Sequence, residues 1–226
     1  MIAALFVHRD GVYYGIRDVD PWPEDRDARL YPGPHPVVAH PPCARWCRLA
    51  AMVEARAARE PRRYRKKSYR RGDDGGCFDS ALSSVRRWGG VLEHPAYSDA
   101  WARFALPIPP VEGWQRGVCG GWAAHVEQGR YGHPAKKATW LYAYGVTRLP
   151  SLRWGATADV ESTALVSWCG NRTKARAPAL VGRLWREVPR GDFDRRPRLS
   201  SKAAATTPLE FRDVLLEIVR SVEVTS

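Results

Sequence analysis

Short apolar runs stopped by proline or glycine alternate along this chain with stretches of helical period. Ala4 to His8 and Val12 to Ile16 are two β-prone runs flanking Asp10-Gly11, a favoured type I′ turn, and predict an N-terminal β-hairpin over 3–16. The segment 18–34 carries Pro21, Pro23 and Pro32 with an acidic cluster and reads as a loop or edge segment. Pro36 to His40 reads as a buried strand stopped by proline. Residues 44–60 repeat apolar Trp46, Leu49, Ala50 and Val53 at helical spacing. A second amphipathic helix is predicted over 77–88, with Phe78, Leu82 and Val85 on one side and Gly89-Gly90 as its stop. Val91 to Glu93 follows as a strand ended by His94-Pro95. Strand, helix and strand at this spacing imply parallel neighbours joined by a right-handed crossover. Residues 105–135 are rich in Pro, Gly and Trp and read as irregular, Lys137 to Tyr144 as a strong strand, and 146–200 as a loop-rich lobe. Leu209 to Val222 is an amphipathic helix, with Thr207 as its expected N-cap, Pro208 at the first helical position and Glu210 completing a capping box.

The expected fold class is therefore α/β: a Rossmann-like, mostly parallel sheet with flanking helices, an N-terminal hairpin and a small irregular basic lobe. Residues 1–145 and 201–226 would form the main domain, and 146–200 the lobe. A length of 226 residues suits this organisation, and 44% hydrophobic with 27% charged residues supports a packed core rather than global disorder. No apolar run reaches the roughly 18 residues needed to span a bilayer, and the N-terminus lacks the basic region of a secretory signal. The five cysteines, Cys43, Cys47, Cys77, Cys119 and Cys169, are odd in number and widely spaced. They read as reduced thiols, and the expected location is cytoplasmic.

Charge narrows the partner class. Lys and Arg outnumber Asp and Glu by 36 to 24, a net +12. Such a balance favours a polyanion, usually nucleic acid. Nine of the cations fall in 56–71, which reads as a mobile basic loop or, alternatively, as a solvated charge run. Ten Trp are unusually many for this length and suit either packing or base stacking.

Two predicted strands end in a polar residue followed by proline, at Ala39-His40-Pro41-Pro42-Cys43 and Leu92-Glu93-His94-Pro95. Ligands of open α/β sheets sit beyond the carboxyl ends of the strands, so both ends could face one cleft. That cleft would gather the thiol of Cys43, the carboxylate of Glu93 and the imidazoles of His40 and His94. Each histidine, and His133 likewise, also suits a purely structural role in a tight turn. Cys43 equally suits a small buried residue at a strand end.

These segments, taken in order with Tyr131-Gly132-His133-Pro134-Ala135-Lys136-Lys137-Ala138-Thr139-Trp140, resemble the C5-cytosine DNA methyltransferases, in particular the short, divergent members of phages and prophages. The resemblance covers roughly 18–48, 80–98, 126–155 and the last helix. It implies that Cys43 is a nucleophile adding to C6 of a flipped cytosine, and that Glu93 holds the base at N3 and N4, with His40 and His94 beside them. It implies S-adenosylmethionine as cofactor, with Asp18 or Asp20 on its ribose. DNA would be held by Arg62, Arg63, Arg65, Lys66, Lys67, Arg70 and Arg71 in the loop after the cysteine, and by Lys136 and Lys137. The region 146–200 would recognise the target. This chain departs from the family in three places: it lacks the Phe-x-Gly-x-Gly loop after the first strand, His94 stands where Asn is usual, and Lys136-Lys137 only approximates an Arg-x-Arg pattern. Two other readings stay open. One is a catalytically inactive relative that binds DNA. The other is a metal-dependent hydrolase or nuclease using His40, Cys43, Glu93, His94 and His133, although their spacing matches no established zinc motif.

Overall fold

The computed structural model describes residues 1–47, 50–59, 69–155, 160–166 and 197–223. Its centre is a seven-stranded sheet made of β1 (Ile2–Leu5), β2 (Val19–Trp22), β3 (Val37–Ala39), β4 (Gly90–Pro95), β5 (Trp114–Arg116), β6 (Trp122–Glu127) and β7 (Ala138–Tyr144). The strand order is β2-β1-β3-β4-β7-β6-β5. The pairs β1–β2, β1–β3 and β3–β4 are parallel, and β4–β7, β6–β7 and β5–β6 are antiparallel. The chain is thus mixed α/β, with half of its pairings parallel rather than most of them. Around the sheet lie α1 (Ala50–Arg59), α2 (Cys77–Trp88), α3 (Asp99–Arg103), α4 (Ser201–Ala205) and α5 (Leu209–Arg220), and β8 (Leu165–Val166) pairs with β9 (Arg198–Leu199) apart from it.

The apolar runs fill two layers because successive side chains of a strand point to opposite faces. On one face Ile2, Ala4, Val38, Val91, Leu141 and Ala143 meet Phe211, Leu215, Leu216, Ile218 and Val219 of α5. On the other Ala3, Leu5, Val37, Ala39, Leu92 and Tyr142 meet Phe78, Ala81, Leu82 and Val85 of α2. Trp46 and Trp101 close that second layer.

Several expectations need correction. The N-terminal hairpin does not form: β1 lies between two parallel neighbours, β2 and β3, and residues 6–18 run through successive turns. Phe6 and Asp10 both take left-handed backbone, and Gly11 N–H donates to the His8 carbonyl and Tyr14 N–H to the Gly11 carbonyl. The Asp-Gly pair thus makes a turn, but tertiary burial of Tyr13 overrides the β propensity of Val12 to Ile16. Residues 105–135 are not irregular throughout, since they contain β5 and β6, the latter buried from Ala123 to Glu127. The last helix begins at Leu209 as expected and ends at Arg220, but Pro208 is its N-cap with no side-chain capping bond, so Thr207 does not cap it. The helix expected over 44–60 begins at Ala50, preceded by turns at 44–46, and only Ala50 of α1 is buried. Arg48, Leu49 and the basic stretch 60–68 lie outside the described residues, as do Cys169 and most of the 146–200 lobe. Of the described residues in that lobe, those near 146–154 pack on the sheet: Leu152 joins the α5 layer, and Trp114 Nε1 donates to the Pro150 carbonyl at 2.9 Å.

Gly90 is the tightest point in the frame. Its φ is +129°, and a Cβ there would stand 1.9 Å from the Val37 carbonyl oxygen of the neighbouring strand. Gly90→Ala is therefore expected to destabilise the protein by more than about 2 kcal/mol, read as a lower urea midpoint, because both the backbone strain and the β3–β4 clash oppose the extra methyl.

Candidate active site

The strand order reverses between β1 and β3: β2 lies on one side of β1, while β3 and β4 follow on the other. That is where open parallel sheets form a crevice at their carboxyl ends. His40 follows β3 directly, its N–H bonded to the Leu5 carbonyl at the end of β1. Pro41 and Pro42 then stop the ladder, because neither has an N–H to donate. The Cys43 carbonyl accepts from Trp46 N–H and Cys47 N–H, both at 2.9 Å, opening a tight turn. Trp46 anchors that turn through Nε1, which donates to Asp74 at 2.7 Å, and Asp74 also accepts from the Phe78 N–H at the start of α2.

Glu93, near the end of β4, is the electrostatic centre. His40 Nδ1 lies 3.0 Å from one carboxylate oxygen, and Gln128 Nε2 donates to the other at 2.9 Å. Gln128 also donates to Thr139 Oγ1 at 3.0 Å. On the far side of His40, Tyr13 Oη is 2.8 Å from Nε2. Burial alone would raise the Glu93 pKa, but the His40 bond and the nearby positive charge of Lys137, with His40 and His94, outweigh it and hold the group at about 2. Glu93 is therefore a buried carboxylate at neutral pH.

Cys43 responds in the opposite sense. Burial pushes its thiol up to about 11, Cys47 and Glu93 add to the effect, and Lys137 opposes it. Lys137 itself is lowered by burial, while Glu93 and Cys43 favour its charge. Its Nζ donates to the Ala205 and Thr206 carbonyls at 3.3 and 3.2 Å, at the negative end of α4. Cys43, Glu93 and Lys137 thus influence one another electrostatically, and His40 is bonded to Glu93.

The other expected residues stand elsewhere. His94 is fully buried among aromatic rings, edge-on to Phe78 with centroids 5.1 Å apart and stacked over Trp101. Neither ring nitrogen makes a hydrogen bond of ordinary geometry. Burial drives its pKa down to about 4, although the Glu93 charge and the Pro42 backbone favour the imidazolium. His94 is thus a neutral, enclosed imidazole packed against Phe78 and Trp101. His133 holds a turn, with Nδ1 3.1 Å from the Ala135 N–H. Asp18 lies before the amino end of β2 in a two-bond ion pair with Arg220, away from the carboxyl ends. Asp20, within β2, is taken by Trp22 Nε1 and Arg26. Arg71 pairs with Asp99, Arg70 is exposed, and Lys136 is half-buried. Arg62, Arg63, Arg65, Lys66 and Lys67 lie outside the described residues.

The sequence analysis missed a cavity of about 400 Å³ past the carboxyl ends of β1 and β2, lined by Val7, His8, Arg9, Pro23, Glu24, Asp25 and Lys202. Arg9 and Asp25 form an ion pair there. Tyr13 and Gln128 carry no local motif and become meaningful only through their distances to His40 and Glu93, and Thr139, part of the 131–140 segment, gains its role through Gln128. Among the described residues no three His, Cys, Asp or Glu side chains gather as a metal-binding group, and no helix is long and apolar enough to cross a membrane. Comparisons with protein-family models, curated proteins and solved structures gave no match.

The buried His94 sets an acid limit on stability. Its folded pKa of about 4 lies below the ordinary 6.5, so the unfolded chain binds the extra proton between these values and stability falls as pH drops through that window. Glu93, depressed from 4.5 to about 2, adds a further loss below pH 4.5. His94→Phe is expected to remove roughly 3 kcal/mol of the loss between pH 6.5 and 4, measured by urea unfolding across pH. An unchanged slope in that window would assign the acid sensitivity to other groups.

Proposed function

We propose that this protein is a DNA-modifying enzyme that adds the Cys43 thiolate to a flipped pyrimidine, with methyl transfer to cytosine C5 as the favoured reaction. The observation that carries the reading is that Glu93 and Lys137 act electrostatically on Cys43, 50 positions from Glu93 in sequence, beside a strand-order reversal. A Rossmann-like interpretation of the β2-β1-β3-β4 half follows from the same reversal. The basic balance of the chain fits a DNA partner.

The residue chemistry suits the reaction. Cytosine C5 is a poor nucleophile until a thiolate has added at C6. Glu93, charged and aimed by two donors, would accept from the exocyclic amino group and from N3 once that atom is protonated. The Lys137 ammonium would stabilise the thiolate. With a resting pKa near 11, ionising Cys43 at pH 7 costs about 5 kcal/mol, so activity depends on how far DNA binding and Lys137 reduce that cost.

S-adenosylmethionine, when bound, supplies an electrophilic methyl group. In the cavity beyond β1 and β2 the Glu24 carboxylate would accept from ribose hydroxyls and Lys202 would hold a carboxylate, whereas Arg9 and Asp25 are paired with each other. On this reading Glu24, rather than Asp18 or Asp20, would be the cofactor-facing acid. The loop after β1 reads Phe6-Val7-His8-Arg9-Asp10-Gly11, without the close backbone approach that a glycine-rich loop provides.

A second reading, a catalytically inactive DNA-binding relative, is favoured by the raised Cys43 pKa and by the Arg9–Asp25 pair in that cavity. Nucleoside mass spectrometry separates the two. DNA from a methylase-free host expressing the wild type is expected to contain 5-methylcytosine, and Cys43→Ala is expected to lose at least about 1,000-fold. The rate should rise close to tenfold per pH unit from pH 7 to 9, as the thiolate fraction does below a pKa of about 11. No modified nucleoside from folded wild type, together with salt-dependent DNA binding, would establish the inactive relative instead.

A further inference from the structure

Glu93 does not stand alone. Tyr13, His40, Glu93 and Gln128 form one continuous hydrogen-bonded chain drawn from four separate segments. Tyr13 is buried, and burial with the Glu93 charge holds its phenol well above the ordinary value; Asp213 of α5 adds to that shift and Arg212 opposes it. Tyr13 therefore keeps its proton and is placed to donate it to His40 Nε2, 2.8 Å away. A neutral imidazole that accepts at Nε2 carries its hydrogen on Nδ1, the nitrogen 3.0 Å from the Glu93 carboxylate. One carboxylate oxygen thus accepts from His40 and the other from Gln128, whose own orientation is set by Thr139.

We propose that Tyr13 and His40 are positioning residues for Glu93, a Tyr–His–carboxylate chain that fixes the plane of the carboxylate and keeps it an acceptor. The inference rests on the reading of Glu93 as the group that receives the pyrimidine edge. It explains how that group discriminates between states of the substrate. Neutral cytosine presents an unprotonated N3 beside its amino group, so a carboxylate faces one lone pair and one donor. The covalent adduct presents N–H at both positions. As the adduct forms, the S–H bond of Cys43 breaks and S–C6 forms. The C5=C6 pair moves to C4=C5, the C4=N3 pair moves to N3, and N3 takes up one proton, balancing the one lost from sulfur. A carboxylate locked as acceptor binds the adduct better than the substrate, so its contribution appears in kcat. Besides His40, the charged or titratable groups acting on Glu93 are Lys137 and His94, and Glu93 in turn acts on Cys43.

The test combines imidazole ¹⁵N NMR with steady-state kinetics on the full chain. In wild type the His40 resonances should report hydrogen on Nδ1 and a free Nε2, and Tyr13→Phe should shift the ring toward mixed tautomers. Tyr13→Phe should lower kcat about tenfold, with KM for DNA within about twofold. His40→Gln, which can still donate to Glu93 and accept from Tyr13, should keep most of the rate, whereas His40→Leu should lose it. Hydrogen on Nε2 in the wild type overturns the inference, as does Tyr13→Phe with unchanged kcat. Wild-type protein that shows the expected tautomer yet modifies no DNA overturns the functional reading of Glu93 instead, and with it the role assigned to the pair.

Discussion

A carboxylate kept charged in a protein interior imposes more on its surroundings than any apolar contact does. Removing an ion from water costs several kcal/mol unless hydrogen bonds and an opposite charge replace the solvent. Glu93 meets this demand with His40 from the end of β3, Gln128 from the turn after β6, and Lys137 from the start of β7. These partners arrive from both the parallel and the antiparallel halves of the sheet. The register β4–β7, in which Glu93 lies opposite Leu141, brings Thr139 and Lys137 to the same end of the sheet. The site and the joint between the two halves of the fold are therefore one object.

The same charge shapes its neighbours. It helps hold the Cys43 thiol in its protonated form and the Tyr13 phenol likewise, while it supports the ammonium of Lys137. Glu93 thereby opposes ionisation of the thiol it would work with, and Lys137 is the counterweight. Its ammonium is steered there by the two carbonyls at the end of α4, so a five-residue helix far away in sequence helps set the electrostatics of a strand end.

Much of the frame was legible in the sequence. The strands at 37–39, 90–95 and 138–144 and the helices at 77–88 and 209–220 follow from apolar period and from glycine and proline stops, because burial on a sheet face or a helix face writes a local pattern. The N-terminal segment misled because an Asp-Gly turn is also compatible with a chain that leaves one parallel strand and returns beside it as another. The Trp-rich 105–135 segment misled because its glycines and prolines mask two short strands. At the site, Cys43 and Glu93 could be found because strand ends followed by proline are visible locally. His94 was drawn in by adjacency to Glu93, yet it is packed among Phe78 and Trp101. Tyr13, Gln128 and the cavity residues had no local signature, since only the folded chain brings them near the acids and bases they serve.

The α5 helix packs on one face of the sheet over β3 and β4, and Arg220 at its end closes on Asp18 across a separation of 202 residues. Burial of this apolar layer is thus tied to the most distant side-chain pairing among the described residues. Loop-closure entropy makes such a pairing slow to find, so folding should be paced by α5 docking rather than by helix or turn formation. During synthesis on the ribosome, the inner strands β1, β3 and β4 would emerge with that face bare, an interval in which a chaperone would find its binding surface.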